Sequence, residues 1–318
     1  MRVVFMGTPD FAVATLEAIY RSAHEIVGVV TTPDKPAGRG LQLQCSEVKK
    51  YAVEKKLPIL QPVKLKDPEF IEALKEWNAD LFVVVAFRML PHEVYAMPPR
   101  GAFNVHASLL PQYRGAAPIH WAIMNGETKT GITTFFLNDK IDCGDIILQR
   151  ETDILPNETT GELYNRLKIL GAKTAIETLS FIEKCDFSRQ PQSCIDESSI
   201  KLAPKIHKED TVIDWNLPAK DIINKIRGLA PYPGAVTFLT KNTGEKTSLK
   251  IFEAAVTPEK STETPGKIDT DGKTFFYIAA KDFKIAIHNL QMEGKKRMDV
   301  RAFLQGNRIS DYKIYLAI

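Results

Sequence analysis

The sequence predicts a doubly wound, mostly parallel α/β sheet followed by a small β-barrel. Three observations carry this. Strand and helix signals alternate over the first 150 residues. One strand-like run, Leu81–Phe87, is apolar on both faces, as a central parallel strand is. After a polar stretch at 186–204 the hydrophobic period changes from helical to alternating.

In chain order, Arg2–Phe5 reads as a buried strand and Gly7–Asp10 as a turn. Phe11–Ala23 reads as a helix with Val13, Leu16 and Ile19/Tyr20 on one face, and Glu25–Val30 as a second strand. Helices are expected over Ser46–Lys56 and Pro68–Trp77, and strands at Asp80–Phe87, Ala102–His106 and Gly131–Leu137, with a short helix over Pro118–Asn125. Thr31–Cys45, fifteen residues rich in Pro and Gly, reads as an irregular loop. Thr159-x-x-Glu162 forms a capping box that opens a long helix with Leu163, Leu167 and Leu170 on one side, running to about Lys184. Strand–helix–strand alternation of this kind implies a parallel sheet with helices on both faces.

The expected organisation is therefore a first domain at 1–185, a linker at 186–204 and a second domain at 205–318. In the second domain a short helix at Ala219–Arg227 precedes strands at Ala235–Thr240, Thr247–Val256, Thr274–Ala279 and Phe283–Leu290. A small, OB-like β-barrel is the favoured arrangement. Gly266 through Lys273-Thr274 approximates a phosphate loop, but the spacing is one residue too long and a strand follows, so a hairpin turn is expected.

Composition narrows the function classes. The chain has 318 residues, 44% hydrophobic and 25% charged, which excludes a disordered or collagen-like protein. Its longest apolar run is seven residues, against the ~20 a membrane span needs. The opening MRVVFMGTPDF is broken by Gly, Pro and Asp before a signal-peptide core forms. Cys45, Cys143, Cys185 and Cys194 show no C-x-x-C pair, so free thiols in a reducing cytoplasm are expected, and no metal-ligand spacing occurs. Residues 205–318 hold 19 Lys and Arg against 14 Asp and Glu, whereas residues 1–204 hold 23 against 25. A basic appended domain beside a near-neutral one is the pattern of a nucleic-acid contact.

The strongest chemical signal is Asn104-Val105-His106 followed by Ala107-Ser108-Leu109-Leu110-Pro111. Asn104 and His106 lie two apart at the carboxyl end of a strand, so their side chains share a face, at the end where open α/β sheets bind ligands. Pro111 through Pro118 is a rigid loop whose backbone is able to approach a ligand closely. About thirty residues on, Asp139-Lys140-Ile141-Asp142-Cys143-Gly144-Asp145 offers a carboxylate that would orient His106 if it folded back. Gly7-Thr8-Pro9-Asp10 lacks the further glycines of a dinucleotide fingerprint, which argues against NAD. Lys35 and Arg39 lie in the Thr31–Cys45 loop, placed to meet a polyanion.

Together these segments resemble the methionyl-tRNA formyltransferase family of folate-dependent formyltransferases. The matching segments are Gly7–Ala12, Pro33-Asp34-Lys35-Pro36-Ala37-Gly38-Arg39-Gly40, Asn104 through Pro118 and, more weakly, Asp142–Asp145. Beyond the linker, Ile213-Asp214-Trp215, Ile226–Pro231 and Pro233-Gly234-Ala235 also match. The resemblance implies that 10-formyltetrahydrofolate donates a formyl group to the α-amino group of methionyl initiator tRNA. It implies Asn104, His106 and Asp142 as the catalytic trio and Ser108, Leu109, Leu110 and Pro111 as the folate-site lining. Arg39 and its loop, with Lys35, would contact the tRNA, and Lys295-Lys296-Arg297 in the second domain is expected to add to that contact. The reaction requires no metal and no covalent enzyme intermediate, and a monomer is expected. Lys140 stands where the family carries glycine. Three alternatives stay open on the sequence: another amine acceptor such as a sugar or glycinamide ribotide, hydrolysis of the formyl-folate, and non-catalytic tRNA binding.

Overall fold

The computed structural model describes residues 1–37, 42–185, 189–192, 197–241 and 243–315. By internal contacts the chain divides into two units. One comprises Met1–Pro118, Lys129–Asp153 and Tyr164–Ala203; the other comprises Ile119–Thr128, Ile154–Leu163 and Pro204–Ile318.

The first unit is built on strands β1 (Arg2–Gly7), β2 (Glu25–Val30), β3 (Lys35–Ala37), β4 (Gln42–Gln44), β5 (Ile59–Leu60), β6 (Leu81–Val85), β7 (Ala102–His106), β8 (Lys129–Phe136) and β9 (Ile146–Asp153). Its helices are α1 (Asp10–Tyr20), α2 (Glu47–Glu54), α3 (Pro68–Glu76) and α4 (His92–Tyr95). Helix α5 (Pro118–Met124) follows β7, and α6 (Thr160–Lys184) follows β9. Seven strands form one sheet in the order β5-β2-β1-β6-β7-β8-β9. The pairings β5–β2–β1–β6–β7 are all parallel, and β8 joins β7 antiparallel. The chain winds outward from β1 through β2 to β5, then returns to β6 on the other side. The carboxyl ends of the strands at such a reversal are the usual ligand position of doubly wound sheets.

Burial explains the winding. Every residue of β6 is buried, as its unbroken apolar run requires. Helix α1 buries Phe11, Ala12, Thr15, Leu16 and Ile19. Its inner face is thus rotated from the expected one: Val13 is only partly buried and Tyr20 is exposed, because Phe11 and Thr15 take the inward positions. A Cβ on Gly7 would stand 2.7 Å from Ala12 Cβ and 3.0 Å from the Val85 carbonyl. Gly7 therefore serves the close approach of β1, α1 and β6. Ser46 and Asp67 cap α2 and α3 through Lys49 N–H and Glu69 N–H.

Two expectations change. The loop after β2 is not wholly irregular: β3 and β4 pair antiparallel, Lys35 against Gln44 and Ala37 against Gln42. Its base is fixed by Asp34, which accepts from Lys49 Nζ at 2.6 Å and Gln61 Nε2 at 2.9 Å. Strand β9 carries no clean alternation and was not expected; it forms by pairing along β8.

In the second unit, α7 (Ala219–Leu229) precedes β10 (Ala235–Lys241), β11 (Lys246–Lys260), β12 (Ile268–Thr270), β13 (Phe276–Ala279), β14 (Phe283–Met292), β15 (Met298–Asp299), α8 (Val300–Gly306) and β16 (Tyr312–Ile314). The sheet is antiparallel in the order β12-β13-β14-β11-β10-β16. The turn before β16 lies against β12, which brings the two edges together in a nearly closed barrel. Trp215, Phe276 and Phe303 are fully buried, and Trp215 Nε1 donates to Thr237 Oγ1 at 3.0 Å. The phosphate-loop-like stretch is the expected hairpin turn: Asp271 accepts from Thr274 Oγ1 and from the Thr274, Lys273 and Phe275 N–H groups, which pulls its carboxyl well below the usual carboxylate range.

The Thr159–Glu162 capping box forms in both directions: Thr159 N–H donates to Glu162 Oε2 and Glu162 N–H to Thr159 Oγ1. The segment Arg227–Ala230 braces the same helix start. Thr160 Oγ1 donates to the Gly228 carbonyl at 2.6 Å, and Gly161 N–H to that of Ala230 at 3.1 Å. Among the described residues, no helix is long and apolar enough to cross a membrane.

Candidate active site

Strand β7 sets the geometry. Asn104 and His106 point to one face, and His106 is the last residue of the strand. The Asn104 amide is half-buried and has no hydrogen-bond partner among the described residues, so it is open to a ligand. His106 is 6% exposed. Its Nε2 lies 3.0 Å from the Tyr113 carbonyl oxygen. A carbonyl only accepts, so Nε2 carries the hydrogen and Nδ1 is the nitrogen left for chemistry.

Nδ1 faces a carboxylate. Asp142 Oδ2 stands 3.8 Å away, and the side chains of the pair are 7% and 14% exposed. That distance is an ion-pair contact, longer than a hydrogen bond. The same oxygen accepts from Gly115 N–H at 2.9 Å. The carboxylate that folds back on His106 is thus that of Asp142, fixed by the loop that follows His106.

Both loops are held in unusual conformations. Tyr113 and Asp142 have φ of 62° and 53°, left-handed values that cost a non-glycine residue about 1–3 kcal/mol. Surrounding contacts impose them. A Cβ on Gly144 would meet the Phe136 carbonyl oxygen at 1.6 Å, so only glycine permits the return of this loop. Lys140 avoids any such strain: its φ is negative, and its N–H donates to Asn138 Oδ1 at 2.9 Å. Tyr95 Oη donates to Asp139 on the same loop; burial and this carboxylate push the tyrosine up to about 12.

The stretch expected to line a folate site is mostly committed to the fold. Ser108 is fully buried and its Oγ donates to the Gln112 carbonyl at 2.7 Å. Leu110 packs with Phe135 and Ile146, and Leu109 lies against Gly131. Thr133 Oγ1 donates to the Ser108 carbonyl and accepts from Leu110 N–H; Gln149 Nε2 donates to the Leu110 carbonyl. The stretch offers a ligand a rigid wall, with Pro111 partly exposed. Thr133 and Gln149 gave no signal in the sequence, because their partners lie on another strand connection.

The polar stretch expected as a linker is drawn onto this site where it is described. Gln190 pairs with Ile146, Lys201 accepts from Tyr113 N–H, and Ala203 bonds to Arg114 and Ala117.

The basic candidates lie elsewhere. Lys35 is exposed on β3, and Arg39 lies outside the described residues. Lys295, Lys296 and Arg297 form the turn between β14 and β15. Lys295 Nζ donates to Asn307 at 2.8 Å, and Arg297 stacks 4.4 Å from the Phe252 ring centre and donates to Asn289. Lys296 has no partner among the described residues. Cys45, Cys143 and Cys185 are free thiols, and Cys194 lies outside the described residues.

Residues 1–179 match the formyl transferase family and residues 205–308 the formyl transferase C-terminal domain. Methionyl-tRNA formyltransferase of Bacteroides fragilis is 48% identical over 312 residues, 98% of this chain and 96% of that protein. The enzyme of Flavobacterium johnsoniae is 50% identical over 316 residues, 99% of each. The chain belongs to the methionyl-tRNA formyltransferase family. The family resemblance read from the motifs therefore holds along the whole chain. Among solved structures, the sugar 3N-formyltransferase WlaRD, crystallised with dTDP and 5-N-formyl-THF, superposes with a TM-score of 0.65. It is 19% identical and covers 93% of this chain and 99% of its own, so it speaks for the formyltransferase fold alone.

Proposed function

We propose that the protein transfers the formyl group of 10-formyltetrahydrofolate to the α-amino group of methionyl initiator tRNA, in the cytoplasm. Near-half identity to methionyl-tRNA formyltransferases across both units carries this reading.

The residues of the β7 end suit the reaction. The neutral amine attacks the formyl carbon, and the carbonyl electron pair moves onto oxygen. The free Asn104 amide donates a hydrogen bond to that oxyanion, as does His106 from Nδ1 when that nitrogen is protonated. Collapse of the oxyanion breaks the bond to N10 of the folate. The amine loses one proton and N10 gains one, so the reaction balances without a metal or a covalent enzyme intermediate. Asp142, 3.8 Å from Nδ1, orients the ring and receives or relays the proton. Ser108, Leu109, Leu110 and Pro111 supply the wall against which the folate lies. Lys35, Arg39, Lys295, Lys296 and Arg297 supply positive charge to the tRNA backbone.

The test is incubation of the protein with 10-formyltetrahydrofolate and methionyl initiator tRNA, following formylmethionyl-tRNA and tetrahydrofolate, beside His106→Ala and tRNA-free controls. Acceptor-dependent formylation lost in the variant is the expected result. Folate release without tRNA would replace the reading by hydrolysis, and tRNA binding without turnover would replace it by a binding role.

A further inference from the structure

Gln192 belongs to neither matched domain: it falls between residue 179 and residue 205, in the polar stretch that the sequence marks as a linker. It is nevertheless 6% exposed. Its Nε2 donates to the Gly144 carbonyl at 2.7 Å and the Asp142 carbonyl at 3.2 Å, and its Oε1 accepts from Arg114 Nη2 at 2.8 Å. One side chain thus joins the two loops that fix His106. Arg114 sits between Tyr113, whose carbonyl holds His106 Nε2, and Gly115, whose N–H holds Asp142 Oδ2.

We infer that Gln192 is a positioning residue for formyl transfer: it holds the Asp142 backbone in its left-handed conformation and so sets the carboxylate against His106. The chemistry demands an amide. Two N–H donors and one acceptor on a neutral side chain of this reach are found only in glutamine. Glutamate keeps the acceptor for Arg114 but has no donor for the two carbonyl oxygens. Lysine and arginine have donors but nothing for Arg114. Without the two donated bonds, the backbone at Asp142, with φ of 53°, is free to relax towards an unstrained conformation. The carboxylate would then leave its place beside Nδ1.

The inference rests on the reading of His106 and Asp142 as the reacting pair, and its test has two arms. In the kinetic arm, Gln192→Met and Gln192→Glu are compared with wild type, alone and combined with Asp142→Asn. A misplacement of about 1 Å in a reacting group costs on the order of 10²-fold, so both single variants are expected to lose 10- to 100-fold in kcat, with KM for tRNA within twofold. In the Asp142→Asn background the further loss is expected to be under threefold, since the group being positioned is gone. An equal loss in both backgrounds, or a fully active Gln192→Glu, overturns the inference. In the second arm the ring nitrogens of His106 are followed by 15N NMR at fixed pH, assigned with His106→Asn. Gln192→Met and Asp142→Asn are expected to displace the Nδ1 resonance in the same direction; an undisturbed resonance in a folded Gln192 variant overturns the inference. A wild-type chain that formylates no methionyl-tRNA refutes the proposed function, and the ring spectrum still decides Gln192.

Discussion

The loops around His106 and the turn at Lys295–Arg297 are both polar, yet they are built in opposite ways. At the first, the polar groups of His106, Ser108 and Asp142 are each met by a backbone group or a neighbouring side chain, largely out of water, and the Asn104 amide is left open among the described residues. At the second, long cationic side chains lean on Asn307, Phe252 and Asn289 at the surface, and Lys296 has no partner among the described residues. The first arrangement fixes atoms to fractions of an ångström, which a bond-making step needs. The second places charge without fixing it, which is what long-range attraction to a phosphate backbone needs. Substitutions in the two regions should therefore alter different constants.

The largest effect is expected at His106. His106→Ala removes a donor to the oxyanion and a proton carrier together, so kcat should fall about 10³-fold or more. Affinity for methionyl-tRNA, measured by filter binding, should stay within threefold. A variant that loses binding in proportion to rate would break the distinction between the two regions.

Gly144→Ala comes next. The added methyl meets the Phe136 carbonyl, so the loop must move and Asp142 with it. A loss of about 10²-fold in kcat is expected. Gly144 has no positive φ, so its effect is steric; alanine at Gly272, where an added methyl meets open space but φ is 71°, is the control that shows the cost of backbone strain alone. That control should lose stability of about 1 kcal/mol and retain the rate.

How far these regions were legible in the sequence follows from the range of their interactions. The unbroken apolar run of β6 and the Thr159–Glu162 cap are local signals, and both elements stand where they were expected. Asn104 and His106 were legible because a two-residue spacing on a strand fixes a shared face. Gln192, Thr133 and Gln149 were not. Their bonds span from 16 to 78 positions along the chain, and a lone glutamine or threonine has no pattern to betray such a partner. The β3–β4 ribbon was hidden for a related reason: its three cross-strand pairs outweigh the weak strand preference of Pro and Gln. Leu110 shows what a motif alone does not reveal: its side chain packs with Phe135 and Ile146.

Replacing Lys295, Lys296 and Arg297 together by Ala should raise the Kd for tRNA about tenfold at low salt. It should flatten the plot of log K against log salt by up to about 3, roughly one unit for each phosphate no longer neutralised. kcat at saturating tRNA should be unchanged within twofold. An unaltered salt slope would remove the turn from the binding surface and leave its charge a matter of solubility.

Lys35→Ala is the smallest and sharpest case. Lys35 belongs to the same unit as His106, but its side chain is exposed on a two-stranded ribbon. If the manner of construction decides which constant changes, Lys35 should behave like the barrel turn. Affinity should fall two- to threefold at low salt, the salt slope should drop by about 1, and kcat should hold. A kcat loss above tenfold would show instead that the ribbon takes part in setting the reacting amine. The rate-controlling region would then extend from the buried loops to a surface element whose base is fixed by Asp34, Lys49 and Gln61.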